Sequence, residues 1–260
     1  MPILFSLRRP LPPREARLDR AQPKACARPS SWRIAFACAV ALAVFGTSHR
    51  GLASGESVTT GSAVVSLPEP KRTGDVSLEG ALAARRSVRS FAAKSLPLSS
   101  VAQLLWAAQG RTHPSGLRAA PSAGALYPLE LYLVAGAVSE LEAGIYRYEP
   151  DRHQLERLRP GDPRSQAARA AVGQDWIADA PAILVLAAVY ARTERKYGER
   201  APRYVHMEVG HAAQNVYLQA MALGLGTTMV GAFDDEALSR VLGLPANEAP
   251  LALLPVGYPN

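Results

Sequence analysis

Three arginines and two serines fall within the six residues from 85 to 90. Guanidinium groups bind phosphate through paired hydrogen bonds, and serine hydroxyls can complete the shell around such an anion. The segment therefore predicts an anion-binding cluster that contains Arg85, Arg86, Ser87 and Arg89. The alternative is a solvated charged turn, and the segment alone does not decide between the two.

Two further stretches consist of small residues that leave the main chain accessible. One is a loop that ends at Pro128 and begins with Pro121, Ser122, Ala123, Gly124 and Ala125. The prolines that bracket it indicate a rigid, low-profile surface. The other stretch is Gly231 and Ala232, which directly follow Val230 at the end of a short apolar run. A flat ligand can approach backbone amides there, although the small residues are equally consistent with tight helix packing.

A long helix is the main element that positions these stretches. Apolar residues recur at spacings of three and four from Val205 to Leu223, which is typical of a helix that is apolar over much of its circumference. Such a helix belongs in an interior or an interface. Gly224 and Gly226 predict its end, and Thr227 to Val230 is predicted to be a buried strand.

The remaining elements are predicted from periodicity and capping residues. Strands are expected at 129–135, 144–148, 154–158, 181–190 and 251–258. The continuous apolar run at 181–190 is typical of a central strand that is buried on both faces. Helices are expected after a Ser77 cap, from a capping box at Ser100 and Gln103 to Gly110, from 162 to 173, and from Asp234 to a stop at Gly243.

The formal net charge of +7 resides in the N-terminal segment. Residues 1–55 hold nine basic and two acidic side chains, so the rest of the chain is neutral overall. Nucleic-acid binding by the folded part is therefore not predicted. No metal site is predicted either, because Cys26 and Cys38 both lie in this segment, and His206 and His211 do not have the spacing of a helical zinc pair.

The N-terminal segment has features of a targeting sequence. Residues 34–45 form a twelve-residue apolar run that is too short to cross a bilayer comfortably, and a small-residue cleavage candidate lies at 51–53. We expect residues 1–53 to be a signal peptide or short membrane anchor, which is the only predicted membrane contact, and residues 54–76 to be a flexible linker to a domain at 77–260. The protein would then be exported; if translation starts downstream, it would be cytoplasmic.

Four motifs over residues 77–260 resemble the FMN-dependent nitroreductase-like superfamily. They are RRSVRSF, PSAGALYP, KYGERAPRYVHMEVGHAAQN and GLGTTMVGAFDD, followed by a closing LALLPVGYP. Within that superfamily the chain most resembles the SagB/ThcOx-type dehydrogenases. The resemblance implies an α+β fold in which a central, mostly antiparallel sheet is flanked by helices. It also implies a homodimer with two FMN sites, each lined by both subunits, in which the helix that opens the domain is part of the dimer core.

The resemblance also implies roles for individual residues. Arg85, Arg86, Ser87 and Arg89 would hold the phosphate and ribityl chain of FMN. The loop from Pro121 to Ala125 would lie along the isoalloxazine ring, and the backbone amides of Val230, Gly231 and Ala232 would approach its N5 edge.

Lys196 and Tyr197 match a Lys-Tyr pair that the azoline-oxidising subgroup uses in catalysis. The implied function is hydride transfer through flavin N5, with azoline-to-azole dehydrogenation of a peptide as the reaction. Without the resemblance, the surrounding charges would indicate a solvent-exposed pair: Glu194, Arg195, Glu199 and Arg200. Two alternatives stay open, an exported NAD(P)H-dependent nitro, quinone or enone reductase and a non-catalytic flavin-binding protein.

Overall fold

A seven-stranded sheet forms the centre of the structure, a computed structural model that describes residues 63–260. Within those residues the strands are β1 (Val64–Ser66), β2 (Leu96–Pro97), β3 (Leu129–Ala135), β4 (Val138–Ser139), β5 (Gly144–Glu149), β6 (Gln154–Pro160), β7 (Ala182–Ala188), β8 (Gly226–Thr227) and β9 (Ala249–Gly257). The helices are α1 (Leu78–Ala84), α2 (Leu98–Gln109), α3 (Arg164–Ala170), α4 (Tyr190–Tyr197), α5 (Ala201–Ala222) and α6 (Asp235–Leu242). The segment predicted to be a signal peptide or anchor lies outside the described residues.

The sheet order is β1-β6-β5-β3-β7-β9-β8, and every neighbouring pair in it is antiparallel. β2 and β4 form a separate parallel pair. The expected α+β architecture with a mostly antiparallel sheet is confirmed.

The position of strand β7 in the sheet explains why its sequence is apolar at every position. Leu184 and Leu186 face a core formed with α2 and α5, whereas Ile183 and Val185 face a second core formed with α3 and α6. All seven residues of the strand are buried because both faces of the sheet are covered by helices. The predicted central buried strand is therefore confirmed.

Capping residues define several helix boundaries. Ser77 Oγ accepts a hydrogen bond from Gly80 N at 3.0 Å, and Asp234 Oδ1 accepts one from Ala237 N at 2.7 Å, which confirms both predicted N-caps. Gly243 ends α6 in the left-handed conformation, as expected.

Three predicted boundaries are wrong. The capping box at Ser100 does not exist because α2 already begins at Leu98, directly after Pro97, and has no side-chain cap. The helix expected to reach residue 173 ends at Ala170. The strand expected at 227–230 is limited to β8, after which only Val230 pairs with the sheet, through Leu253.

The predicted linker at 54–76 also needs correction. Val64, Val65 and Ser66 pair with the edge strand β6, and Leu67 is buried. Lys71 N donates to Gln103 Oε1 at 2.8 Å. A β-branched pair beside an open strand edge gains main-chain hydrogen bonds there, so this part of the segment is docked on the domain.

Among residues 63–260, no helix has the length and apolar composition needed to cross a bilayer.

Candidate active site

The arginine-bearing segment 85–91 is held against the edge of the sheet by its main chain. Val88 N donates to Thr227 O at 3.0 Å, and Ser87 pairs with Thr227 in a parallel bridge. A Cβ atom at Gly226 would lie 2.6 Å from the Val88 side chain, so only glycine permits this approach. The sheet edge thus fixes the backbone of the segment, so the arginine side chains are not needed to hold it in place.

The three arginines have different surroundings. The Arg85 guanidinium lies over the Tyr217 ring, 5.2 Å from its centroid. Arg86 donates to Ala83 O at 2.9 Å and to its neighbour's carbonyl, Arg85 O, at 2.8 Å, so it caps the C-terminus of α1. Arg89 is exposed, and within residues 63–260 no carboxylate forms an ion pair with Arg85 or Arg89. Arg85 and Arg89 therefore keep their charge available to an anion.

Tyr217 links the arginine segment to the turn that follows β8. Its phenol oxygen accepts a hydrogen bond from Met229 N at 2.7 Å and lies 3.5 Å from Ser87 Oγ. Burial raises the pKa of the phenol, but hydrogen bonds with Ser87, Thr228 and Met229 and the charge of Arg85 outweigh it, so the pKa lies below its ordinary value. The sequence indicated Tyr217 only as part of the apolar stripe of α5.

Gly231 and Ala232 present two backbone N–H groups at this end of the sheet. Both residues are exposed, and in the described part of the chain neither N–H donates to a backbone or side-chain acceptor. Val230 differs, because its N–H donates to Leu253 O at 2.8 Å. The prediction that three backbone amides face the ligand is therefore wrong for Val230, because its N–H is bonded to the sheet. Gln174 Nε2 donates to Ala232 O at 3.0 Å and helps to hold the turn.

The small-residue loop has a strained backbone. Gly124 and Ala125 lie in a 3₁₀ turn with φ values of 63° and 55°, and Tyr127 has a φ of 46°. Ser122 Oγ accepts a hydrogen bond from Tyr127 N at 2.9 Å, which ties the two ends of the turn together. Gly124 and Ala125 are exposed, so the main chain itself forms part of the surface.

Lys196 and Tyr197, in the last turn of α4, meet this loop at Gly124. A Cβ atom at Gly124 would lie 2.9 Å from Lys196 Nζ and 2.9 Å from Tyr197 OH. The Tyr197 ring packs edge-on against Tyr204, with centroids 4.9 Å apart. The polar ends of both side chains therefore converge on one point of the loop, although the two motifs are far apart in the sequence.

An ion-pair network around the buried Glu130 fixes α4 against the loop. Arg192 donates to Tyr127 O at 3.0 Å and pairs with Glu130 on β3. Glu130 is 9% exposed and also pairs with Arg147 at 2.8 Å. One carboxylate thus connects the sheet, the loop and the helix that carries Lys196 and Tyr197.

Glu208 is a buried carboxyl on α5 beneath the same loop. It is 2% exposed, and its Oε1 has no hydrogen-bond partner among residues 63–260. Burial raises the pKa of Glu208 to about 7, against opposing effects of a hydrogen bond with Ser122 and the charge of Arg118. Nothing in the sequence distinguishes this glutamate from those on exposed helix faces.

The site residues form two clusters within one chain. The arginine cluster comprises Arg85, Ser87, Arg89, Tyr217, Gly231 and Ala232; the loop cluster comprises the 121–125 loop, Lys196, Tyr197 and Glu208. Within the described residues, no hydrogen bond, ion pair or ring contact joins them. Both clusters use α5, on which Glu208 and Tyr217 are nine positions apart, roughly 13 Å along the helix.

Comparison with known proteins identifies relatives of this chain. Residues 82–258 match the Nitroreductase family. A Methanocaldococcus jannaschii protein assigned as a nitroreductase is 48% identical over 183 residues, which cover 70% of this chain and 91% of that protein. A crystal structure assigned as a nitroreductase from Ralstonia eutropha has a TM-score of 0.68 at 33% identity and covers 76% of this chain and 90% of that one.

A further similar structure is a chain of the E. coli microcin synthetase McbBCD complex with truncated pro-MccB17 bound. Its TM-score is 0.59 at 26% identity, and the match covers 74% of this chain and 76% of that chain.

Proposed function

Because this chain belongs to the nitroreductase family of oxidoreductases, we propose that it binds FMN and dehydrogenates an azoline ring in a modified peptide. The observation that carries the proposal is the convergence of Lys196 Nζ and Tyr197 OH on Gly124. Removal of a hydride from a C–H bond leaves a proton to be taken from the neighbouring atom, so a proton-transfer group is needed beside the hydride acceptor.

The residues of the arginine cluster fit the chemical groups of FMN. Arg85 and Arg89 offer to a phosphate guanidinium groups that form no ion pair within the described part of the chain, and Ser87 adds a hydroxyl. Gly231 and Ala232 offer two N–H donors that lack acceptors among residues 63–260, which suits the polar edge of a flavin ring. Arg86 contributes to the site indirectly, because it caps the C-terminus of α1, the helix that precedes the arginine cluster. When bound, FMN supplies the hydride chemistry, and the protein supplies binding, orientation and proton transfer.

A homodimer accounts for the separation of the two clusters. Leu78 and Leu82 on α1 are 60% and 51% exposed, and a cavity of about 330 Å³ lies between α1, α2 and α5. Exposed apolar residues beside such a groove are typical of an interface. We propose that a second copy covers this face, so that the loop cluster of one protomer completes the arginine cluster of the other.

Tyr197 is proposed to take the proton that remains on the substrate after hydride removal. Its ring is held by Tyr204, and the Lys196 ammonium lies 5.5 Å from its centroid. Lys196 is then the residue that orients the phenol, since the polar ends of both side chains meet at Gly124. Both side chains reach the loop because the Arg192–Glu130 ion pair fixes the preceding turns of α4.

The peptide substrate is supported by the similarity to the microcin synthetase complex, whose structure contains a bound propeptide. A second candidate function, reduction of small nitro, quinone or enone compounds with NAD(P)H, is favoured by the two relatives that are assigned as nitroreductases.

Two half-reactions test the proposal. Flavin reduction by a nicotinamide donor and substrate oxidation with an added electron acceptor are measured for Tyr197→Phe and Lys196→Ala. We expect both variants to retain flavin and to slow substrate oxidation by about 10²- to 10⁴-fold, the usual contribution of general acid–base groups. Tyr204→Phe and Arg195→Ala are matched controls and should keep the wild-type rate. Wild-type protein that binds no flavin, or variants that oxidise every accepted azoline at the wild-type rate, would contradict the proposal.

Export is a separate proposal, supported by the apolar run at 34–45 and the small residues at 51–53. N-terminal sequencing of the protein from its native host should give a mature chain that begins near Ser54. An intact Met1 in a cytosolic fraction would contradict export.

A further inference from the structure

Tyr127 has a left-handed backbone at a position where two features of the sequence disfavour it. Its φ is 46°, although it has a large side chain and precedes Pro128. A Cβ atom disfavours the left-handed region, and the ring of a following proline shifts the preceding residue towards extended conformations. Among residues 63–260, four other non-glycine residues have a positive φ, and none of them precedes a proline. A conformation of this kind persists only when the surrounding structure holds it.

Arg118 holds the side chain of Tyr127 from the other end of the 121–125 loop. The Arg118 backbone N–H donates to Tyr127 OH at 3.2 Å, and the Arg118 guanidinium lies over the Tyr127 ring, 4.7 Å from its centroid. The guanidinium is itself fixed by the buried Gln109, whose Oε1 accepts a hydrogen bond from Arg118 Nη1 at 3.1 Å. We call the two contacts between Arg118 and Tyr127 the Arg118–Tyr127 clasp.

The main chain of Tyr127 connects the loop to α4. Its N–H donates to Ser122 Oγ at 2.9 Å, and its C=O accepts a hydrogen bond from Arg192 Nη1 at 3.0 Å. Arg192 lies on the helix that carries Lys196 and Tyr197. The two backbone dihedrals of a residue set the directions of these groups, so an extended Tyr127 would turn one of them away from its partner.

We propose that Tyr127 is a positioning residue: the Arg118–Tyr127 clasp holds it in the left-handed conformation, and that conformation sets the position of Gly124 relative to Lys196 and Tyr197. The polar ends of both side chains meet at Gly124, so the loop and α4 must keep one mutual position for the pair to act on a substrate. Because the pair is itself proposed to be catalytic, the inference rests on the proposed function. Tyr127 acts through the backbone and touches none of the reacting atoms.

Substitution of Tyr127 by alanine and by glycine separates its backbone from its side chain. Both variants lose the clasp, but glycine enters the left-handed region without a steric cost. We expect Tyr127→Ala to slow substrate oxidation by about 10- to 100-fold, the effect of a displacement of up to about 1 Å. Tyr127→Gly should be about 5- to 30-fold faster than Tyr127→Ala, which is the left-handed preference of glycine expressed as a ratio of populations. Equal rates in the two variants, as expected of a ring that only packs, would overturn the inference.

Glu140 provides a matched control. It is exposed, has a φ of 66° and lies in the turn between β4 and β5. Glu140→Gly and Glu140→Ala should both keep the wild-type rate of substrate oxidation. A slow Glu140→Ala variant would show that left-handed strain affects the rate wherever it lies, and would overturn the inference.

Arg118→Met tests the clasp without altering Tyr127, and keeps the inference testable if Tyr127→Ala does not fold. It removes the stacked guanidinium and keeps the backbone N–H, so we expect substrate oxidation to slow by about two- to tenfold. In the Tyr127→Gly background, which has no ring to stack, Arg118→Met should have no further effect. An equal loss of rate in both backgrounds would overturn the inference.

A measurement on flavin-free protein separates this inference from the proposed function. Nuclear Overhauser effects between the Gly124 α-protons and the Tyr197 ring protons report the contact between the loop and α4. They should be present in wild type and in Tyr127→Gly, and absent in Tyr127→Ala. Their presence in Tyr127→Ala would overturn the inference even if the enzyme oxidises an azoline. The expected pattern in a protein whose Tyr197→Phe variant keeps the wild-type rate would support the positioning role and overturn the proposed function.

Discussion

Substitution of Gly124 by alanine is the sharpest perturbation of the proposed catalytic pair. The new Cβ would lie 2.9 Å from both Lys196 Nζ and Tyr197 OH, a separation that ordinary contacts do not reach. Lys196 and Tyr197 touch the loop with the free ends of their side chains, so they can retreat without disturbing the fold. The substitution therefore displaces two reacting groups and leaves their chemistry intact.

The expected effects on stability and on rate differ in size. Gly124 has a φ of 63°, and a left-handed alanine costs roughly 1–2 kcal/mol in the free energy of unfolding. Restoring van der Waals contact at 3.5 Å or more requires the Lys196 and Tyr197 ends to move by at least about 0.5 Å. Since a misplacement of about 1 Å can reduce a rate about 100-fold, we expect substrate oxidation to slow by roughly 10- to 100-fold.

Gly224→Ala is the matched control. Gly224 has a φ of 68°, and a Cβ there would meet nothing within 4 Å. Urea denaturation should show similar destabilisation in the two variants. Single-turnover kinetics with flavin occupancy measured in parallel should show a slow substrate step for Gly124→Ala alone. A wild-type rate in Gly124→Ala, or an equal loss in both variants, would refute the role of the contact.

Other residues give further expected outcomes. Arg85→Ala should weaken FMN binding tenfold or more, from a loss of about 1.5–3 kcal/mol in binding free energy, and leave riboflavin binding unchanged. The control Arg169→Ala, on the exposed face of α3, should change the binding of neither ligand. Equal binding of FMN by both variants would contradict the phosphate site. Glu208→Gln should be more stable than wild type at high pH, because the fold raises the pKa of the Glu208 carboxyl from 4.5 to about 7 and wild type loses stability as pH rises through that range. The difference in the free energy of unfolding should grow from near zero at pH 4 to about 3 kcal/mol above pH 7. A pH-independent difference would contradict a raised pKa for Glu208. Glu130→Ala should lower the free energy of unfolding, measured by urea denaturation, by about 1–3 kcal/mol and should slow substrate oxidation, because α4 loses its ion pair with the sheet. Glu236→Ala breaks an exposed pair and should lower the free energy of unfolding by less than about 1 kcal/mol.

Local patterns predicted much of the fold. The caps at Ser77 and Asp234, the stop at Gly243 and the doubly buried strand β7 depend on neighbouring residues or on one continuous apolar run, and each is confirmed. The start of α2 was missed because Pro97 ends one element and allows the next to begin immediately, so no capping side chain is used. Strand β1 was missed because it exists only by pairing with the edge of β6.

The parts of the site that the sequence missed depend on long-range packing. Glu208 and Tyr217 are part of the pattern of α5, and nothing near them in the chain shows that the first is buried or that Met229 N donates to the second. The availability of Gly231 and Ala232 amides, and the loss of the Val230 amide to Leu253, likewise follow from strand pairing. The residue types in the sequence indicated the candidate site residues. Tertiary contacts determine which of their hydrogen-bonding atoms are available to a ligand.

The docking of segment 85–91 by main-chain bonds has a consequence for redesign. Its position depends on the Val88–Thr227 hydrogen bond and on the absence of a side chain at Gly226, so the fold does not require the exposed Arg89 side chain. The side chain at this position can therefore be exchanged in a combinatorial library without disturbing the sheet. On the proposed flavin site, a library of this kind could select variants that accept uncharged or differently charged analogues of the cofactor.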